Sequence, residues 1–170
     1  AETNKASWTY GAINTTFTGF NWSGNGWLNN ALHISDGALA VVGFTPMLHD
    51  ITGAGKTIDI EYLVSNANDP DEVIVSCIDG DGIGFEITAQ EARMTSSGGN
   101  TVATKFKSGE RIRIGFVIKP SDDAGEPRMM YLYVDGVKSG AVQYAASDSF
   151  KQKIAQTITL GNNACDLDVY

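Results

Sequence analysis

The sequence contains few of the residues that mark common catalytic and metal sites. It has two cysteines and two histidines in 170 residues. Neither histidine, His33 or His49, has a cysteine near it, so the usual zinc spacings are excluded. No glycine-rich phosphate loop precedes a helical pattern. A catalytic triad built from distant residues stays open, because such a triad is recognised only in space.

Positive charge and long apolar runs are also scarce. Twelve lysines and arginines stand against twenty aspartates and glutamates, which gives a formal net charge of −8. An acidic chain without a basic patch is a poor partner for nucleic acid or anionic membranes. No apolar run approaches the ~20 residues of a membrane-spanning helix, so we expect no membrane insertion. The opening Ala1–Ser7 is no signal peptide, and it is equally compatible with a cut point in a longer chain.

The two cysteines, Cys77 and Cys165, lie far apart in the sequence, near the ends of predicted strands. A single long-range disulfide in a secreted protein fits this pattern. Two buried thiols that act as small apolar residues fit it equally well. The sequence leaves this choice open.

Glycine, in contrast, is abundant, and the apolar runs between glycines are short. There are 19 glycines, and 42% of the residues are hydrophobic. Strict alternation over Arg111–Lys119 and Met129–Val134 predicts two half-buried strands, and Asp135-Gly136 predicts a type I′ turn after them. We expect the core to include Ile58, Ile60, Ile112, Ile114, Phe116, Leu132 and Val134.

About a dozen short strands at close spacing predict an all-β fold, a two-sheet antiparallel jelly-roll sandwich of about eleven or twelve strands. Glu72–Ile78 is apolar on both faces, which is typical of a central strand. The one helix candidate is Ala145–Gln152. No repeat or linker interrupts the chain, so residues 1–170 are interpreted as a single domain, a module of a longer chain.

Several segments resemble one known fold family. They are Leu132–Gly136 (LYVDG), Ile158–Gly161 (ITLG), Asp166–Tyr170 (DLDVY), Lys56–Ser65, Glu72–Ile78 and Gly84–Ile87. Together they are similar to the concanavalin A-like, laminin-G-type jelly roll. The segment that starts at Gly26-Trp27 also resembles modules of phage or prophage virion proteins. The family contains lectins, carbohydrate-binding modules, glucanases and adhesion domains, so the fold alone does not choose a function.

The resemblance directs attention to Thr57, Asp59 and Glu61. Laminarinase-type glycosidases of this fold carry three carboxylates on one strand face, of which one is the nucleophile and one the acid/base. Asp59 and Glu61 match two of these positions, but Thr57 stands at the nucleophile position. Threonine cannot form the glycosyl ester, and alternation alone produces a polar strand face of this kind. We therefore assign no catalytic residue.

Two aromatic groups are candidates for ligand binding. Sugars stack on flat rings and pair their hydroxyls with amides, and the segment Asn21–Asn30 offers both. Its candidate residues are Trp22, Asn25, Trp27 and Asn29. Core tryptophans that close the end of the sandwich are the alternative. Tyr131 and Tyr133 share one strand face, which either lines an open sheet or is covered by the other sheet.

Acidic turns are the only candidates for a metal site. Asp69 and Asp71 lie in one turn, Asp79 and Asp81 lie in another, and Asp122-Asp123 forms a third. Calcium needs roughly six to eight oxygen ligands, so two loops would have to converge. Ordinary turn chemistry is the alternative. Laminin-G-type domains often hold calcium, so the resemblance implies calcium as the one candidate cofactor, and no cofactor is required.

The sequence therefore predicts a non-catalytic carbohydrate-binding or adhesion module of a secreted or virion-associated protein. Its expected partner is a glycan or a cell-surface polysaccharide. A phage structural domain without a ligand, which contacts other virion proteins, is one alternative. A glycoside hydrolase of the laminarinase-like fold is the other.

Overall fold

The structure, a computed structural model, describes residues 7–10, 13–16, 26–28, 30–35, 37–42, 56–64, 69–78, 80–119, 127–145, 157–162 and 165–170. Within these ranges all regular secondary structure is β-strand. The strands are β1 Ser7–Tyr10, β2 Ile13–Thr16, β3 Gly26–Leu28, β4 Ala31–Ile34, β5 Leu39–Val42, β6 Lys56–Val64, β7 Val73–Ile78, β8 Gly84–Thr88, β9 Glu91–Thr95, β10 Thr101–Lys105, β11 Ile112–Lys119, β12 Arg128–Val134, β13 Val137–Tyr144, β14 Thr157–Leu160 and β15 Leu167–Val169.

The strands form two antiparallel sheets. One sheet has eight strands in the order β1-β2-β5-β14-β7-β8-β9-β10, and the other has seven in the order β13-β12-β11-β6-β15-β4-β3. This arrangement confirms the predicted jelly-roll sandwich and the interior position of β7. The count of eleven or twelve strands was too low, because a strand as short as β3, with three residues, shows no readable periodicity.

The core lies between the two sheets, as the alternation predicts. Phe116 of β11 and Phe85 of β8 meet across it with ring centroids 4.6 Å apart. Four of the predicted core residues are buried: Ile112, Ile114, Phe116 and Leu132. Ile60 and Val134 are partly buried and pack against this core, and the side chain of Ile58 lies outside the described residues. Burial of one such side chain contributes roughly 1.5–3 kcal/mol, so this layer is the main source of stability.

The two cysteines are buried thiols and are not joined by a disulfide. Cys165 Sγ donates a hydrogen bond to Asn162 Oδ1 at 3.3 Å, and Asn162 Nδ2 donates to the Val73 carbonyl at 2.8 Å. Burial, together with the nearby charges of Asp166 and Glu72, raises the pKa of the Cys165 thiol to about 11. The sequence left open a disulfide or two buried thiols, and the structure has two buried thiols.

No helix within the described ranges is long and apolar enough to cross a membrane. Residues 146–156 lie outside those ranges. The helix predicted over Ala145–Gln152 therefore stays a prediction.

Candidate binding surface on the seven-stranded sheet

The side of the seven-stranded sheet that is turned away from the core is called the outer face. Alternation places Met130 and Leu132 of β12 in the core, so Tyr131 and Tyr133 project to the outer face, where both are partly exposed. The same alternation brings Arg113 of β11 to this face. Tyr131 and Tyr133 are thus not covered by the other sheet, and they lie on an open surface.

Two cross-strand ion pairs join β11 to β6 on the outer face. Arg113 Nη2 donates to Asp59 Oδ2 at 2.9 Å, and Arg111 Nε donates to Glu61 Oε1 at 2.7 Å. All four side chains are more than a third exposed. Exposed pairs of this kind contribute only about 0.2–1 kcal/mol. Their main effect is therefore to bring two carboxylates and two guanidinium groups together on one surface.

Gly115 creates a gap in this surface. It lies directly between Asp59 on β6 and Tyr133 on β12 in the strand register. A Cβ atom at this position would come within 2.8 Å of Asp59 Oδ1 and 3.4 Å of Tyr133 Cβ. A pocket of about 260 Å³ opens over this position, lined by Thr57, Asp59, Arg113, Gly115, Val117, Tyr133 and Gly136. We call it the Gly115 pocket.

An aromatic surface continues from the pocket toward the edge of the sheet. The rings of Tyr131 and Tyr133 lie edge to face, with centroids 6.5 Å apart. Lys138 of β13 is the cross-strand neighbour of Tyr133, and its Nζ lies 5.3 Å from the Tyr131 ring centroid. One side of the pocket thus carries two aromatic rings and an ammonium group.

The opposite end of the outer face holds residues that the sequence did not single out. Arg111 stacks over the Tyr170 ring with its guanidinium carbon 3.7 Å from the centroid. His33 Nδ1 and Asp168 Oδ1 are 2.6 Å apart. These contacts exist because β15 inserts between β6 and β4. No local sequence pattern predicts that insertion. The alternation along β11 predicted only that Arg111 points away from the core.

The three residues at the positions of a glycosidase strand do lie on the polar side of β6. Thr57 and Asp59 are exposed, and Glu61 is partly exposed. Asp59 and Glu61 are each paired with an arginine. Both carboxylates therefore already accept a charged hydrogen bond on an exposed surface.

The tryptophan-rich segment is described only in part. Trp22, Asn25 and Asn29 lie outside the described residues. Trp27 is in β3, at the edge of the seven-stranded sheet and opposite Leu32, and its side chain is not described. Sugar binding by these four residues therefore stays a prediction.

Two of the acidic turns occupy opposite ends of one strand. Asp69 and Asp71 precede β7, whereas Asp79 and Asp81 follow it. Six residues of strand separate the two turns by about 20 Å, so one ion cannot bind to both. Asp69 Oδ1 accepts the backbone N–H of Asp71 at 3.0 Å, and no three histidine, cysteine, aspartate or glutamate residues of the described chain cluster as a metal site. Asp79, Asp122 and Asp123 are outside the described residues. Calcium at any of these turns stays a prediction, which a calcium-dependent rise in the melting temperature would establish.

No protein-family model matches the chain, and no curated protein matches it significantly in sequence. Solved structures do resemble it. The binding domain of botulinum neurotoxin DC, solved in complex with SialylT, has a TM-score of 0.54 at 9% identity over 92% of this chain. This chain spans only 40% of the length of that one.

Two enzymes are more distant matches. An endo-1,3-beta-glucanase from Streptomyces sioyaensis has a TM-score of 0.47 at 12% identity, over 86% of this chain and 66% of its own. The alginate lyase Aly36B has a TM-score of 0.45 at 9% identity, over 89% of this chain and 82% of its own. At identities this low, the neurotoxin match supports the sandwich fold alone.

Proposed function

We propose that this domain is a non-catalytic carbohydrate-binding module and that its ligand binds at the Gly115 pocket. The single observation that carries the proposal is the pocket itself. It combines one aromatic wall, Tyr133, with a fixed carboxylate and guanidinium pair, Asp59 and Arg113, around a position that has no side chain.

These groups match the two kinds of surface that a sugar presents. The C–H face of a pyranose ring packs on the flat ring of a tyrosine. Its hydroxyls donate to a carboxylate and accept from a guanidinium, so Asp59 and Arg113 together can satisfy vicinal hydroxyls. Both residues are on strands, and the ion pair between them orders the side chains before the ligand arrives. Such preorganisation lowers the entropic cost of binding.

The fold is compatible with this role. The neurotoxin domain that resembles it is a binding domain, solved in complex with SialylT. This support is an analogy at the level of the fold, and the pocket residues carry the specific argument. A setting outside the cell, in a secreted or virion-associated protein, is part of the proposal, as is an adhesive role on a surface polysaccharide.

A glycan array followed by calorimetry of the best ligand tests the proposal. Gly115→Ala places a methyl group on the floor of the pocket between Asp59 and Tyr133, and we expect it to weaken binding by about tenfold or more because it displaces the sugar from both residues. The new Cβ meets the movable end of the Asp59 side chain, so the fold is retained. Gly80→Ala, in an exposed turn where a Cβ meets nothing within 4 Å, is the matched control.

Two results would contradict the proposal. One is an array on which no glycan binds, which would favour a structural domain without a ligand. The other is a bound glycan whose affinity is the same for Gly115→Ala and Gly80→Ala. In that case the ligand lies elsewhere, and the segment that contains Trp22 is the next place to test.

A further inference from the structure

The charge of the outer face differs from the charge of the whole chain. The chain carries a formal net charge of −8. The three strands β11, β12 and β13 contain no aspartate or glutamate at all. Arg113 and Lys119 of β11 and Lys138 of β13 are exposed, and Arg111 immediately precedes β11. This part of the sheet is therefore a cationic patch on an acidic protein.

The acids of β6 compensate the arginines of this patch, and Asp135, in the turn between β12 and β13, accepts the Arg113 backbone N–H through its Oδ1 at 2.9 Å. Asp59 and Glu61 pair with Arg113 and Arg111. Lys138, two strands away from Arg113, contacts the Tyr131 ring and makes no ion pair with a described residue. Arg113 uses one of its five N–H groups on Asp59, so further donors remain for a ligand. Lys138 is therefore the cation beside the two tyrosines that is left to attract an acidic ligand.

The two tyrosines lie between these cations. Neighbouring strands are about 4.8 Å apart, so β11 and β13 are separated by roughly 10 Å with the rings of β12 in the middle. A pyranose ring stacked on Tyr133 is narrower than this separation. Arg113, on one side of the rings, is already paired with Asp59, so a carboxylate on the side of the sugar ring toward β13 would meet the Lys138 ammonium.

We infer that the Gly115 pocket and the adjoining tyrosines bind a glycan that carries carboxylates, a polyuronate, in preference to a neutral glycan of the same backbone. This inference rests on the proposed carbohydrate-binding function and deepens it. The Lys138 ammonium supplies the charge that attracts the carboxylate of a uronate, and the remaining N–H groups of Arg113 can donate to the hydroxyls of the same sugar. Because the rest of the chain repels polyanions, attraction to a polyuronate arises at this patch and not from the net charge.

The test compares hexagalacturonate with its fully methyl-esterified form, which has the same backbone and no charge. We expect the acid form to bind about fivefold or more tightly at low salt, the upper range for one exposed charge pair. Lys138→Gln should remove most of this preference and leave the binding of the ester unchanged. Lys107→Gln is the matched control, since Lys107 is an exposed lysine paired with Glu110 outside the pocket.

The outcomes separate the inference from the function. Equal binding of acid and ester, or an acid preference that survives in Lys138→Gln, overturns the inference and leaves carbohydrate binding intact. If a neutral glycan from the array binds and hexagalacturonate does not bind, the inference is likewise overturned and carbohydrate binding stands. If no glycan of either kind binds, the proposed function falls together with the inference.

Discussion

Among the described side chains, the outer surfaces of both sheets are polar, but only that of the seven-stranded sheet combines polar groups with a pocket and exposed aromatic rings. On β8 and β9 of the eight-stranded sheet, Arg93 Nε pairs with Glu86 Oε2 at 2.7 Å and Arg93 Nη1 with Glu91 Oε1 at 3.6 Å. Thr95 and Thr101 exchange a hydrogen bond at 2.9 Å. The seven-stranded sheet has similar ion pairs. In addition, it has a position without a side chain, Gly115, and two aromatic rings beside it.

This difference shows that cross-strand polar pairs alone do not make a site. On strands β7 to β10, the only aromatic residue is Phe85, and it is buried in the core. The polar groups of Arg93 and Glu86 satisfy one another on a surface without an aromatic platform. At Gly115 the same kind of pair borders a space that a ligand can occupy, beside an apolar ring that it can stack on.

The largest expected effect concerns the core that both surfaces share. Phe116→Ala should lower the free energy of unfolding by about 3–5 kcal/mol, because it leaves a cavity against Phe85. Chemical denaturation measures the change. Phe116→Leu, which keeps most of the volume, should cost clearly less, and equal losses in the two variants would show that this layer is loosely packed.

Alkaline pH should weaken the same core through Cys165. Its pKa is raised to about 11 from an ordinary value of 9.0, so the folded protein holds the thiol proton more tightly than the unfolded chain. The stabilisation is complete below pH 9 and is lost as the pH rises through about 11. We expect a loss of about 2 kcal/mol across this window. Cys165→Ala should show a smaller decline in melting temperature between these pH values, and identical slopes would contradict the assignment.

Tyr133, the aromatic residue of the Gly115 pocket, allows a direct comparison of the outer surfaces of the two sheets. Tyr133→Ala should weaken glycan binding by about tenfold, through the loss of roughly 1–2 kcal/mol of ring stacking. Thr95→Ala, an outward change on the other sheet, should leave the affinity unchanged. Calorimetry with the array ligand measures both. A similar loss in the two variants would mean that binding is not confined to the seven-stranded sheet.

The ion pairs give the smallest effect on stability and the sharpest contrast between the surfaces. Arg113→Met and Arg93→Met should each change the free energy of unfolding by no more than about 1 kcal/mol, since both guanidinium groups are substantially exposed. Only Arg113→Met should also reduce glycan affinity. Thermal melts and calorimetry on the same preparations test this, and unchanged affinity in Arg113→Met would remove the arginine from the site.

Much of the architecture was predictable because it follows from local chemistry. The turn at Asp135-Gly136 has φ values of 51° and 79°, which are the left-handed values that a type I′ turn requires. Alternation along β11 and β12 predicted which side chains are buried. In the candidate site, the sequence predicted Tyr131 and Tyr133 as ligand-binding residues and drew attention to Thr57 and Asp59. It did not predict that the two groups are neighbours, since β6 and β12 are far apart in the sequence and are joined through Gly115 of β11.

By itself, the sequence determined the strands, the turns and the apolar faces, since a period of two and left-handed turn residues are properties of neighbouring residues. Only the tertiary structure decided that Gly115 stands between Asp59 and Tyr133, that Arg111 meets Tyr170, and that Cys77 and Cys165 are separate thiols. Each of these depends on which strands are neighbours and in what register. That choice is made when the whole set of apolar faces is buried at once, because shifting one strand by a residue would expose its apolar side chains.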